Sequence, residues 1–233
     1  MHLVGRWTAP AAACVLLAAA PATSPLSADA APRRCTSSPY AYAGLLGRPK
    51  VQGVRATITS VQRPNVTAGH VAAWVGVGGV DAGPNGRPEW IQGGLSGFSG
   101  GTAEVYYEVT RPGKGTSYTT LFEGVSPGES FAVAIVEIAG RPNWWRVQVD
   151  GRTVSEAIEL PASHGRWAPV VTSEALNGES GACNTFSYRF DAVSAYHAGG
   201  WRGLGKASVL SDRGYGVVAR TTSSFVAKSL FPE

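Results

Sequence analysis

Glu104-Val105-Tyr106-Tyr107-Glu108-Val109 alternates strictly, with Val105, Tyr107 and Val109 on one face and Glu104, Tyr106 and Glu108 on the other. A period of two is that of a half-buried β-strand, because successive side chains leave the pleat on opposite sides. Two further runs read the same way: Trp145, Val147 and Val149 oppose Trp144, Arg146, Gln148 and Asp150, and Phe186, Tyr188 and Phe190 oppose Ser187, Arg189 and Asp191. Clusters of turn formers separate the runs: Asp81-Ala82-Gly83-Pro84-Asn85-Gly86, Arg111-Pro112-Gly113, Pro127-Gly128 and Asp150-Gly151. The last is a two-residue hairpin signal. No apolar period of 3.6 is sustained over about a dozen residues beyond the N-terminal segment. Many short strands, each with one apolar face, predict an all-β chain folded as an antiparallel two-sheet β-sandwich.

Outside this pattern stands the start of the chain. Met1 to Arg6 is short and basic, Ala9 to Ala20 is apolar apart from Pro10, and Ala28-Asp29-Ala30 supplies a small-x-small cleavage site. Residues 1–30 are therefore expected to be a signal peptide, residues 31–233 a single domain, and the protein secreted. Cys14 falls inside the apolar block, with Ala11 where a lipoprotein signal favours Leu, and is read as a bystander. That leaves Cys35 and Cys183 as an even pair in an oxidising compartment, and a disulfide between them is expected. Closing a loop of roughly 150 residues is worth roughly 4–5 kcal/mol in the loop-entropy picture, as an upper figure.

Composition removes several classes of function. Only 15% of the 233 residues are charged and 44% are hydrophobic, too few charges and too much apolar content for a disordered chain. No run of eighteen apolar residues follows the first thirty, so no membrane span is expected. The formal net charge is +4, but the positive charge is scattered in ones and twos, which gives no footing for nucleic acid. A monomer is expected.

The chemical motifs mostly fail on context. Gly97-Phe98-Ser99-Gly100-Gly101 has the form of a nucleophile elbow, yet that elbow needs a helix after the serine, and here the strand from Thr102 to Val109 follows. Ser99 is therefore assigned to a glycine-rich hairpin loop. Glu104 and Glu108 share a face, but four residues at about 3.3 Å each set them roughly 13 Å apart, too far for a glycosidase carboxylate pair. Gly76-Val77-Gly78-Gly79 breaks the dinucleotide fingerprint, since Asp81 stands where the third glycine belongs. His70, His164 and His197 are far apart and form no His-Glu-x-x-His, so neither a metal nor a cofactor is expected.

What the faces carry is more informative. Trp74, Trp90, Gln92, Tyr106, Glu108, Trp144 and Arg189 all stand opposite apolar-face positions. Aromatic side chains interleaved with polar ones on an outer sheet face predict a groove for an extended polymer. Ser208-Val209-Leu210 and Gly216-Val217-Val218-Ala219 read as short strands, and Ser223 to Leu230 as a last strand or a short helix.

Trp74-Val75-Gly76-Val77-Gly78-Gly79, then Trp90-Ile91-Gln92-Gly93-Gly94, then Tyr106-Tyr107-Glu108 resemble in order and spacing the eqolisin-type glutamic peptidases. Gly128-Glu129-Ser130-Phe131 is similar to the strand that follows in that family, and Val54 to Thr59 to its first long strand, so the resemblance spans about residues 40 to 192. It implies a concanavalin A-like sandwich and a secreted endopeptidase whose Gln/Glu dyad cleaves peptide bonds. The Gln maps onto Gln92. The Glu maps onto Glu174, in Ala168-Pro169-Val170-Val171-Thr172-Ser173-Glu174, with one residue more before it than the family strand. Trp74, Trp90, Tyr106 and Glu108 would then bind substrate. Two positions depart from the family: Gly78 replaces an Asp, and Pro169 is expected to interrupt the strand leading to Glu174. The same grooved sandwich also suits a non-catalytic module that binds carbohydrate or a cell-wall polymer, so the partner is a polypeptide substrate or an extracellular polysaccharide.

Overall fold

The alternation in the sequence becomes a ladder of strands in the computed structural model, which describes residues 39–161, 163–177 and 183–231. Residues 1–30 and Cys35 lie outside the described residues, so the signal peptide and the Cys35–Cys183 bridge stay expectations. The strands are β1 (Tyr40–Leu46), β2 (Gly53–Ser60), β3 (His70–Gly79), β4 (Glu89–Phe98), β5 (Ala103–Arg111) and β6 (Gly115–Glu123). They continue as β7 (Ser130–Glu137), β8 (Trp144–Val149), β9 (Arg152–Thr153), β10 (Ile158–Glu159) and β11 (Pro169–Leu176). The chain closes with β12 (Ser187–His197), β13 (Gly200–Arg202), β14 (Ser208–Ser211), β15 (Tyr215–Val218) and β16 (Phe225–Ser229). Among the described residues no helix is long and apolar enough to cross a membrane.

Two antiparallel sheets form. One has seven strands in the order β14-β1-β11-β3-β4-β5-β6; the other has nine, running β10-β8-β7-β2-β12-β16-β15 with β9 on β8 and β13 on β12. Their inner faces make one apolar core, in which Val105, Val109, Trp145, Val147, Phe186, Tyr188 and Phe190 are buried, the faces expected from the alternation. Among the described residues the tail holds short strands joined by turns, and Ser223 to Leu230 contains β16 and no helix. Asp150 and Gly151 take φ of 49° and 76° between β8 and β9, the left-handed pair a two-residue hairpin needs.

Two expectations are corrected here. Pro169 does not interrupt β11; it is the first residue of that strand, a position where its missing N–H costs no mid-strand ladder bond. Trp144 and Arg189 sit in β8 and β12, in the nine-stranded sheet, whereas Trp74, Trp90, Gln92, Tyr106 and Glu108 belong to the seven-stranded one. The two groups therefore face opposite sides of the sandwich. Trp144 instead lies under the Arg141 guanidinium, 3.6 Å from the ring centroid.

Candidate active site

The outer face of the seven-stranded sheet is hollowed because its central rows alternate long side chains with very small ones. Directly paired residues on antiparallel strands share a face, and three rows run across the sheet. The first joins Tyr42, Glu174, Ala72, Ser96 and Glu104; the second Gly44, Thr172, Trp74, Gly94 and Tyr106; the third Val170, Gly76, Gln92 and Glu108. Gly44, Gly76, Gly94 and Ala72 leave a trough into which the long side chains lean. A Cβ at Gly94 would lie 1.9 Å from the Ala73 carbonyl oxygen, and one at Gly44 2.4 Å from Thr172, so the glycines are required by the close approach of neighbouring strands.

Two adjoining cavities occupy the trough. The larger, of about 490 Å³, is lined by Tyr40, Tyr42, Trp74, Val80, Trp90, Val170 and Leu210 among others. The smaller, of about 200 Å³, is lined by Ala72, Ser96, Phe98, Tyr106 and Tyr118. His70, Gln92, Glu108 and Glu174 border both, so the polar groups are gathered where the cavities meet. Gln92 is 8% exposed and Glu174 7% exposed, yet both face this space and not the core between the sheets.

Each polar group is held. Trp74 Nε1 donates to Glu174 Oε2 at 3.0 Å, and His70 Nε2 lies 3.2 Å from Glu174 Oε1. Gln92 Nε2 donates to the Tyr106 hydroxyl at 3.3 Å. Trp90 Nε1 donates to Glu108 Oε1 at 2.9 Å. Ala72, Trp74 and Tyr106 form a small apolar cluster beneath these groups, with Tyr42 and Val170 packed against it. This second cluster on the outer face sets the dyad candidates on a rigid floor, not on loops.

Burial dominates the electrostatics. It pushes the Glu108 carboxyl above its ordinary value; the hydrogen bond from Trp90 opposes this, the Glu174 carboxylate reinforces it, and His70 opposes it. Burial likewise pushes the Tyr106 hydroxyl well up, with Glu174 and Glu108 adding to the shift. Tyr42 is raised by burial and then by Glu174. The cavity is thus a poorly hydrated place in which two carboxylates feel one another and the phenols stay protonated.

No sequence-family model matches the chain, and no curated protein matches it by sequence. Solved structures do. Scytalido-glutamic peptidase with a peptide-based transition-state analogue aligns at 20% identity and a TM-score of 0.55, covering 83% of this chain and 98% of that one. SCP-B, a member of the eqolisin family in complex with the tripeptide Ala-Ile-His, aligns at 19% identity and a TM-score of 0.52, with the same 83% and 98% coverage. The fold is that of the glutamic peptidases.

Within this glutamic-peptidase fold, the residues singled out from sequence fall as follows. Gln92, Glu174, Trp74, Trp90 and Glu108 line the larger cavity, and Gln92, Glu174, Glu108 and Tyr106 the smaller. Tyr106 is 2% exposed and meets Gln92 through its hydroxyl. Glu104 shares this face but lines neither cavity, accepting from the Tyr118 hydroxyl at 2.5 Å and from Thr120 Oγ1 at 3.2 Å. Ser99 sits in the turn joining β4 to β5. Gly78, which replaces the family Asp, has a φ of +94°, and a Cβ there would meet the Glu89 carbonyl oxygen at 2.3 Å; the departure is built into the backbone. Sequence reasoning missed His70, Tyr40 and Tyr42. For His70 a signal existed, since it precedes Trp74 by four residues in one strand and so shares its face.

Proposed function

We propose that this protein is a secreted endopeptidase that hydrolyses peptide bonds with Gln92 and Glu174 as its catalytic dyad, residues 31–233 forming its one domain and Cys35–Cys183 its disulfide. One observation carries the reading: a glutamine amide and a glutamate carboxylate, each clamped by its own donor or acceptor, border the same cavity in a sheet face otherwise lined by aromatics. Glu174, held at Oε2 by Trp74, retains free lone pairs on both oxygens. It takes the proton from a water attacking the substrate carbonyl and delivers it to the departing amine. Gln92 Nε2 has two N–H groups and spends one on Tyr106; the other is available to the oxyanion, a contact whose loss costs roughly 3–4 kcal/mol of barrier in other enzymes. Trp74 and Trp90 flank the bound chain, and Glu108, steadied by Trp90, lies beside Gln92 in the same row.

Digestion of an unfolded protein substrate from about pH 2 to about pH 8, a range that brackets carboxylate and histidine titration, tests the reading. Wild type, Gln92→Ala and Glu174→Gln run side by side, and cleavage is expected from the wild type alone. The four aromatics of the larger cavity, Tyr40, Tyr42, Trp74 and Trp90, favour the second reading, a module that stacks on sugar rings. Wild type that cleaves nothing at any pH, but is retained on an insoluble polysaccharide in a manner that survives Gln92→Ala, establishes that reading instead.

A further inference from the structure

His70 has no part in the reaction proposed above, yet it touches the residue on which that reaction turns. It is the first residue of β3, paired with Leu176 on β11 and Phe98 on β4. Its ring packs on Phe98 at a centroid distance of 6.1 Å, and its carbonyl accepts from Asn184 Nδ2 at 3.5 Å. With its backbone and ring both fixed, the imidazole presents Nε2 to Glu174 Oε1 at 3.2 Å, while Trp74 Nε1 holds Oε2 at 3.0 Å. The carboxylate is gripped at both oxygens, so its plane cannot turn without breaking one contact. The two grips differ in kind: indole N–H only donates and never ionises, whereas imidazole changes charge between about pH 5 and pH 8.

We propose that His70 is a positioning residue for Glu174, fixing the carboxylate toward the attacking water and supplying a charge-assisted hydrogen bond while the imidazole is protonated. The inference rests on the Gln92/Glu174 reading. The titratable groups that face the pair are Tyr40 and Tyr42 from β1, Tyr106 and Glu108 from β5 and Tyr118 from β6. Among the described residues neither cavity is lined by a lysine or an arginine. Once protonated, the imidazole is therefore the one cation the described lining supplies, and an opposite charge within about 4–6 Å favours the ionised carboxylate that a general base needs.

The test measures kcat and KM on a peptide substrate across the same pH range for wild type, His70→Gln, His70→Ala and Glu174→Gln, with thermal melts to establish folding. His70→Ala is expected to lose roughly ten- to a hundredfold in kcat, the scale of a misplaced catalytic group, with KM changed by no more than about twofold. His70→Gln keeps an N–H donor and is expected to recover most of kcat. Both variants lose the charge, so in both the acid limb of kcat/KM moves to higher pH. A folded His70→Ala with wild-type kcat overturns the inference, as does an acid limb unmoved in His70→Gln. An active wild type with an inactive Glu174→Gln and an unaffected His70→Ala removes His70 alone. A wild type inactive at every pH removes the peptidase reading and this inference together.

Discussion

Gly94→Ala tests the strand register on which the cleft depends. Gly94 pairs with Trp74 on β3 and Tyr106 on β5, so it is the low point between the indole that holds Glu174 and the phenol that holds Gln92. A Cβ there would stand 1.9 Å from the Ala73 carbonyl oxygen and 2.7 Å from Trp74 Cα, where ordinary contact begins at 3.4 Å. Both partners are backbone atoms, so no rotamer relieves the overlap, and β3 and β4 must part locally by roughly 1.5 Å to restore contact distance. Overpacking of this kind costs about 1–3 kcal/mol, and two ladder hydrogen bonds stretched beyond useful length add about 1 kcal/mol each. The expected loss is thus roughly 3–5 kcal/mol, or a fall of roughly 6–20 °C in Tm for a domain of this size. Urea and thermal unfolding followed by circular dichroism measure it, with Gly79→Ala as control. Position 79 has no atom within 4 Å of a built Cβ, and its substitution is expected to stay within about 0.5 kcal/mol of wild type. Equal stability of the two variants would refute the register, and with it the rows that bring Gln92 and Glu174 to one trough.

Two further predictions concern the groups around the dyad. Tyr106→Phe removes the acceptor of Gln92 Nε2 and leaves a buried amide hydrogen unpaired, at a cost of about 1–3 kcal/mol in unfolding free energy; a melt unchanged from wild type would show that the amide does not rely on this hydroxyl. Glu108→Gln changes how stability depends on pH. The Glu108 carboxyl is raised above its ordinary 4.5 by burial, so the folded state holds its proton to higher pH than the unfolded chain does. Its contribution is fully present below about pH 4.5 and is lost as pH rises through the folded value. The glutamine has no such loss, so its stability relative to wild type is expected to increase from acid to neutral pH. A constant difference across that range would contradict the assignment.

The sequence made the faces readable and the neighbours unreadable. Val105, Val109, Trp145, Val147, Tyr188 and Phe190 are buried because each lies on the apolar side of a local alternation, and a local alternation is visible in a single stretch of chain. Which sheet a strand joins is not local. Trp144 and Arg189 have the same pattern around them as Trp90 and Glu108, and only long-range pairing puts β8 and β12 in the nine-stranded sheet. The site has the same character. Glu174 pairs with Tyr42 and Ala72, strands distant from it in the chain, and a motif scan sees neither. In the chain His70 and Glu174 are far apart, and only β3–β11 pairing brings them within 3.2 Å.

The extra residue before Glu174 shows why parity is better measured across the sheet than along the motif. Counted along the chain against the family strand, one added residue should send Glu174 into the core, since a slip of one reverses every face. Counted across the ladder, Glu174 pairs with Ala72, and Ala72 stands two residues before Trp74 and therefore on its face. Trp74 pairs with Gly94, two residues after Gln92. Three antiparallel strands thus fix Glu174, Trp74 and Gln92 to one side, and the carboxylate could leave it only if β11 slipped against β3. Such a slip would send Val171 and Ala175, which are fully buried in the core, out to the trough. Burying those two side chains is worth several kcal/mol of apolar transfer on the usual scale of about 25 cal/mol per Å². The position of the candidate base is therefore set by apolar residues on the opposite face of its own strand, and Pro169, at the first position of β11, begins the strand without disturbing that register.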